Sequence, residues 1–202
     1  MTRIKSALSD ADPSSFQEDK ISYEDFLKLW DETTSGKADG DFKPNTYGEI
    51  TIESLSSMLS EAKASREDVF YDLGSGTGTT VIQAVLEFGV GKAVGIEMNR
   101  DRHRLACSSV ETLPGLMKLG GADIHQSHAS AIHGDILKFL YYDATIIFVS
   151  SLLFPEKMLA ALVGRFRMLK GGTQVFMLTK LKLDEAKETG HLELKQVINV
   201  EM

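Results

Sequence analysis

The sequence predicts an α/β fold, a mostly parallel twisted sheet with helices on both faces. From Asp68 onward, apolar runs of strand length alternate with amphipathic stretches of helix length, the pattern of βαβ units. The strands are apolar throughout, Ala144-Thr145-Ile146-Ile147-Phe148-Val149 above all, so both faces of the sheet must be covered. A third observation locates a site: Val69-Phe70-Tyr71-Asp72-Leu73-Gly74-Ser75-Gly76-Thr77-Gly78 joins a buried strand to a glycine-rich turn and then to a helix. In parallel sheets that geometry receives nucleotide-type ligands.

A chain of 202 residues with 43% hydrophobic content suits one well-buried α/β domain and a modest extension. Residues 1–45 read as a polar leader carrying one helix and a loop, and residues 46–202 as the domain. The leader helix runs over 23–33, from a Ser22/Asp25 start with Tyr23, Phe26 and Trp30 at helical spacing. Its opening looks like the exit half of an EF-hand, but Phe16 falls at a ligand position and Asp19 where glycine is required, which argues against calcium. Residues 34–44, with Gly36, Gly40 and alternating charges, form a connector. Ile52, Leu55, Leu59 and Ala62 trace the apolar stripe of a helix over 51–64.

The alternation then gives strand 69–73, helix 78–88, strand 92–97, helix 100–119, strands 129–133 and 144–149, helix 155–168, and strands 173–179 and 191–200. Pro114 and Gly115 are expected to kink the long helix or end it early. The one cysteine, Cys107, cannot form an intramolecular disulfide, and no apolar run approaches the ~20 residues of a membrane span. Residues 1–6 lack the apolar core of a secretory signal, so an intracellular protein is expected. Net charge is −7 with cations dispersed except for Arg100, Arg102 and Arg104 at one helix start, which argues against strong nucleic-acid binding by this chain alone and is compatible with a basic protein substrate.

Ligands of open parallel sheets bind outside the carboxyl ends of the strands, where strand order reverses. Asp72 closes the first strand, Glu97 the second, Asp135 follows the third and Ser150 the fourth. Gly74, Gly76 and Gly78 alternate with Ser75 and Thr77, so Gly78 comes one position too early for the dinucleotide fingerprint. That spacing, with an acid two residues ahead of the first glycine, fits S-adenosylmethionine better than NAD. A carboxylate at Glu97, one helix and one strand later, can accept both ribose hydroxyls. Asp135 can accept from an adenine amine while Ile136 covers the ring, although an Asp at this turn also serves as an ordinary cap.

Ser150 and Phe154 lie where a reactive methyl would face, in a loop without an acid or base. Methyl transfer tolerates that absence, because it is driven mainly by holding nucleophile and sulfonium carbon in near-attack geometry. A lysine amine must arrive neutral, and an apolar wall such as Phe154 favours this by desolvation; the alternative is that Phe154 is simply core. The histidines at 103, 125, 128, 133 and 191 come with no set of Cys or carboxylate partners, and no metal site is expected.

With these pieces in place the chain resembles the class I S-adenosylmethionine-dependent methyltransferases of Rossmann-like fold, and among them the disruptor-of-telomeric-silencing family of histone-lysine methyltransferases. Tyr47-Gly48-Glu49, the glycine motif, Gly95-Ile96-Glu97 with Arg102-His103-Arg104-Leu105-Ala106, and Gly134-Asp135-Ile136 leading to Ile147-Phe148-Val149 carry the resemblance. It implies that Tyr47, Gly48 and Glu49 close over the methionine part of the cofactor. Asp72 and the turn Gly74, Ser75, Gly76, Thr77 and Gly78 would border its amino-acid and ribose portions, Glu97 would hold the ribose, and Asp135 with Ile136 the adenine. Phe154 would match an aromatic residue of the lysine channel.

Two departures accompany the resemblance. Ser150 stands where the family has asparagine beside the transferred methyl, and the antiparallel strand that normally closes the sheet is not seen before Met202. The resemblance implies a histone or nucleosome substrate and a nuclear location, with a cytoplasmic one also compatible. Three alternatives stay open: a class I methyltransferase acting on another protein or a small molecule, a non-catalytic cofactor-binding subunit, and a nicotinamide oxidoreductase.

Overall fold

A computed structural model of the chain describes residues 50–119, 127–152 and 154–178. The leader, its helix and EF-hand-like segment, Tyr47, Gly48, Glu49 and the strand expected over 191–200 lie outside the described residues.

Helix α1 spans Ile52–Glu61, and Thr51 caps it by accepting the Ser54 amide at 3.3 Å. Strand β1 follows at Val69–Leu73, then α2 at Thr79–Phe88, β2 at Lys92–Glu97 and α3 at Arg100–Leu119. Strands β3 (His128–His133) and β4 (Ile146–Val149), helix α4 (Glu156–Phe166) and strand β5 (Gln174–Met177) complete the order. The five strands form one sheet in the order β3-β2-β1-β4-β5, every pairing parallel. Strand order therefore reverses between β1 and β4.

The pleat sends alternate side chains to two cores. Phe70, Ala93, Ile146 and Phe148 pack on one face with Leu55 and Leu59 of α1, Ile82 and Leu86 of α2, and Leu113 of α3. Tyr71, Val94, Ile96, Ile147 and Val149 pack on the other with Leu162 and Phe166 of α4, and with Ile136 and Tyr141 of the chain between β3 and β4. Gln83, 1% exposed, ties α1 to α2 by donating to Ile52 O at 2.9 Å and Glu87 Oε2 at 2.8 Å. A buried amide with partners on both helices fixes their register.

Several expected bounds shift by one to three residues, α1 for example ending at Glu61 rather than residue 64, and two differences have a clear cause. Helix α3 continues through Pro114 to Leu119 rather than ending there. Its neighbour Leu113 is 3% exposed in the first core, and that burial holds the helix on course despite the backbone hydrogen bond that proline cannot make. The fourth strand begins at Ile146, not Ala144. Thr145 diverts one bond of the ladder: its amide still donates to Val69 O at 3.0 Å, but its hydroxyl accepts from Val69 N at 2.9 Å while donating to Asp68 Oδ1 at 2.8 Å.

On the second face, Asp143 accepts from Lys92 Nζ at 2.6 Å and from the Tyr71 hydroxyl at 2.9 Å, joining β1, β2 and the approach to β4. Burial works to raise the Asp143 carboxyl, but the hydrogen bonds from Lys92 and Tyr71 carry it below the usual carboxylate range. The hydrogen bond to Asp143 raises Lys92, and burial followed by the Asp143 bond raises Tyr71. A carboxyl depressed on folding stabilises fully above its unfolded pKa of about 3.9 and stops doing so as pH falls through the folded value. A raised ammonium stabilises fully below about 10.4 and is lost as pH rises through its folded value. Comparison of Asp143→Asn with the unaltered chain by thermal melting is therefore expected to show a deficit near neutrality that shrinks below about pH 4. A deficit independent of acid would detach this trio from stability.

Candidate functional site

The site forms at the carboxyl ends of β1, β2 and β4, beside the crossover. Gly74, Gly76 and Gly78 adopt positive φ of 98°, 54° and 86°, a region L side chains rarely enter. The turn folds back on β2: the amides of Gly74 and Ser75 both donate to Ile96 O, at 2.8 and 3.1 Å, and Gly78 N donates to Ser75 O at 2.8 Å. Gly78 then caps α2 without a side-chain hydrogen bond. A Cβ at Gly78 would stand 3.2 Å from Ala106 Cβ and 3.3 Å from Ala106 Cα, so the turn is pinned between β2 and α3.

Glu97 is the electrostatic centre of this arrangement. It is 5% exposed, and its hydrogen-bonding neighbours among the described residues are all donors. Oε2 accepts the Gly76 amide at 3.0 Å; Oε1 accepts the Asn99 amide at 2.7 Å and Arg102 Nη2 at 3.1 Å. The carboxylate thus binds the glycine turn directly, and two predicted residues meet in one hydrogen bond. Asn99 Oδ1 in turn accepts the amides of Asp101 and Arg102 at 3.0 and 3.1 Å, starting α3 where Arg102 can reach back.

Asp72, 2% exposed, faces α2 and accepts from the Thr80 hydroxyl. Thr77 and Thr79 hydroxyls lie 3.2 Å apart at the start of that helix. Asp135 stands next to Glu97, because His133 pairs with Glu97 across the ladder and Gly134 N donates to Glu97 O at 3.0 Å. Its Oδ1 accepts the Leu137 amide at 2.9 Å, and its Oδ2 lies 3.6 Å from Lys138 Nζ. Asp135 therefore shapes its own turn and keeps one oxygen toward the exposed side. Ile136 is 5% exposed and packs into the second core.

Ser150 leaves β4 half-buried, and Ser151 after it is fully buried. Phe154 N donates to Ser151 O at 3.0 Å, and this bend brings the Phe154 ring to the turn, with Cζ 3.8 Å from where a Cβ of Gly74 would lie. Among the described residues no group of three His, Cys, Asp or Glu side chains could hold a metal ion. Likewise, no described helix is long and apolar enough to cross a membrane.

Four contributors were given no part in the site by the sequence, although Gly95 and Arg102 lie within the motifs that carry the resemblance. Arg102 and Asn99 on Glu97, Thr80 on Asp72, and Gly95 beneath Ser75 become visible only once β2 and the starts of α2 and α3 are side by side. The available signal was weak: an Asn-x-x-Arg step beginning two residues after a strand-end acid.

Residues 34–201 match the family described as Histone methylation protein DOT1. The chain belongs to this family. Relatives of the DOT1 family include the "Histone-lysine N-methyltransferase, H3 lysine-79 specific" of Eremothecium gossypii, 27% identical over 145 residues, which are 70% of this chain and 25% of that protein. The "Protein-lysine N-methyltransferase" of Saccharolobus islandicus is 35% identical over 118 residues, 58% of this chain and 66% of that protein. The chain thus spans about a quarter of the first relative's length and just under two thirds of the second's. Among solved structures, an RNA methyltransferase from Salinibacter ruber in complex with S-adenosylhomocysteine superposes with a TM-score of 0.52 at 27% identity, covering 64% of this chain and 76% of that one. The precorrin-6y C5,15-methyltransferase of Geobacter metallireducens superposes at 0.51 with 17% identity over 75% and 76% of the two chains, which supports the Rossmann-like methyltransferase fold.

Proposed function

We propose that the chain is an S-adenosylmethionine-dependent protein-lysine N-methyltransferase, with a histone as the leading substrate. The observation that carries this reading is the buried Glu97 carboxylate bonded to the Gly76 amide at the mouth of the parallel sheet. There it can receive ribose hydroxyls while the glycine turn lets a ligand approach without a Cβ in the way. The residues fit such a cofactor: an acid at the ribose position, a turn opening onto the amide end of α2, and Asp135 with Ile136 beside Glu97 for the adenine. When bound, S-adenosylmethionine supplies an electrophilic methyl on sulfonium.

The chain's own residues orient and exclude water. The amide end of α2, where Thr79 begins the helix, favours the cofactor's carboxylate through the helix dipole. Phe154, alongside Gly74, walls the approach from β4, and its apolar face favours an incoming amine in the neutral, nucleophilic form. Tyr47, Gly48 and Glu49 would complete the methionine side in a methyltransferase domain over residues 46–202, with residues 1–45 as its leader. A basic protein partner suits a net charge of −7, and a histone substrate implies a nuclear location. The serines at the end of β4 favour a second reading, a cofactor-binding subunit without transfer activity, because serine at Ser150 presents one short donor where the family has asparagine.

Incubation with methyl-labelled cofactor and free histones, nucleosomes or cell lysate, followed by amino-acid analysis, tests the activity. Labelled methyl-lysine is expected. Cofactor binding with no transfer to any acceptor would favour the subunit. Ser150→Asn is expected to keep cofactor affinity and to raise turnover on lysine substrates severalfold; wild-type turnover would show that this position does not govern the chemistry.

A further inference from the structure

The hydrogen bonds around Glu97 leave too little acceptor capacity for a ribose diol. A carboxylate offers about two lone-pair positions on each oxygen. Oε1 already accepts Asn99 N and Arg102 Nη2, at 2.7 and 3.1 Å, while Oε2 accepts Gly76 N alone among the described residues. One hydroxyl can add at Oε2. A hydroxyl at Oε1 must displace a donor, and the two present differ in freedom. Asn99 N belongs to the backbone that starts α3, whereas the Arg102 side chain is 24% exposed and can turn to water.

We infer that Arg102 competes with the cofactor ribose for Glu97. It pairs the buried carboxylate while no ligand is present and yields its place at Oε1 to the second hydroxyl on binding. This deepens the methyltransferase reading and rests on it. The arrangement has a physical reason: a carboxylate 5% exposed needs a donor at Oε1 when the ribose is absent, since a buried acceptor left unsatisfied destabilises the fold. A consequence follows for affinity. Each binding event must break a charge-assisted bond, so the unaltered chain binds more weakly than its geometry permits.

The two possible roles of Arg102 predict opposite signs. If it only held Glu97 in position, its loss would weaken binding; if it competes, its loss strengthens binding while the ligand-free fold becomes less stable. The test is calorimetric titration of the full chain and of Arg102→Met with S-adenosylhomocysteine and with its 2′-deoxy analogue, beside thermal melting without ligand. Arg102→Met is expected to melt lower and to bind S-adenosylhomocysteine about fivefold or more tightly, in keeping with the worth of a hydrogen bond to a charged group. The gain is expected to vanish with the 2′-deoxy analogue. Equal or weaker binding by the variant, or a gain that persists with the deoxy analogue, would overturn the inference. Should Arg102→Met not fold, Arg102→Lys gives the same reading, a smaller gain supporting the competition and a loss overturning it. No binding of S-adenosylhomocysteine by the unaltered chain would overturn the cofactor reading, and the inference with it.

Discussion

Glu97→Ala is expected to weaken S-adenosylhomocysteine binding by more than about tenfold, because each hydrogen bond to a charged acceptor is typically worth about 1.5–3 kcal/mol. The loss has two parts. The ribose loses its acceptor, and the Gly76 and Asn99 amides lose the group that holds the turn and the start of α3 in place. Glu97→Gln separates charge from shape and is expected to fare little better. All three hydrogen-bonding neighbours of Glu97 among the described residues are donors, so a glutamine must turn its own NH2 group toward at least one of them. Calorimetric titration beside thermal melting reads both parts, and unchanged affinity in Glu97→Ala would remove this residue from the site.

Gly95→Ala is the second large effect. Its Cβ would stand 2.5 Å from Ser75 Oγ, 2.7 Å from Ser75 Cβ and 3.0 Å from Val81 Cγ2. Strand β2 cannot retreat, since Gly95 pairs with Asp72 on one side and Ala131 on the other. The displaced element is then the glycine turn. Overpacking of this kind costs about 1–3 kcal/mol, and here it also shifts the Gly76 amide away from Glu97, so stability and cofactor affinity fall together. Ser75 Oγ is buried without a hydrogen-bond partner among the described residues, so Ser75 meets Gly95 through volume alone. Ser75→Gly in the Gly95→Ala background is therefore expected to restore part of both, whereas Ser75→Ala keeps the clashing Cβ and restores little. Gly164→Ala, where nothing lies within 4 Å, is the control and leaves affinity unchanged.

Strands β1 and β2 were legible to the residue, because both are short apolar runs bounded by charged or glycine residues. The start of β4 and the passage of α3 through Pro114 were not. Thr145 keeps its own backbone bond to Val69 O but takes the Val69 amide on its hydroxyl, and burial of Leu113 carries α3 past a proline that local rules treat as a stop. Both are tertiary effects that a window of sequence does not contain. The site divides the same way. Glycine spacing and strand-end acids gave its outline, because these follow from strand and turn periodicity. The Arg102 contact to Glu97 and the packing of Ser75 on Gly95 depend on which side chains the crossover brings face to face. Asp135 is intermediate, since its capping of Leu137 and its place beside Glu97 are both real, and periodicity alone could not choose between them.

The central claim is that the turn from Gly74 to Gly78, together with Glu97, binds S-adenosylmethionine. Calorimetric titration of the full chain with S-adenosylhomocysteine and, separately, with NAD tests it most directly. The prediction is saturable binding of S-adenosylhomocysteine at one site per chain, lost in Glu97→Ala, with no comparable binding of NAD. Binding of NAD alone, or S-adenosylhomocysteine binding indifferent to Glu97, would contradict it.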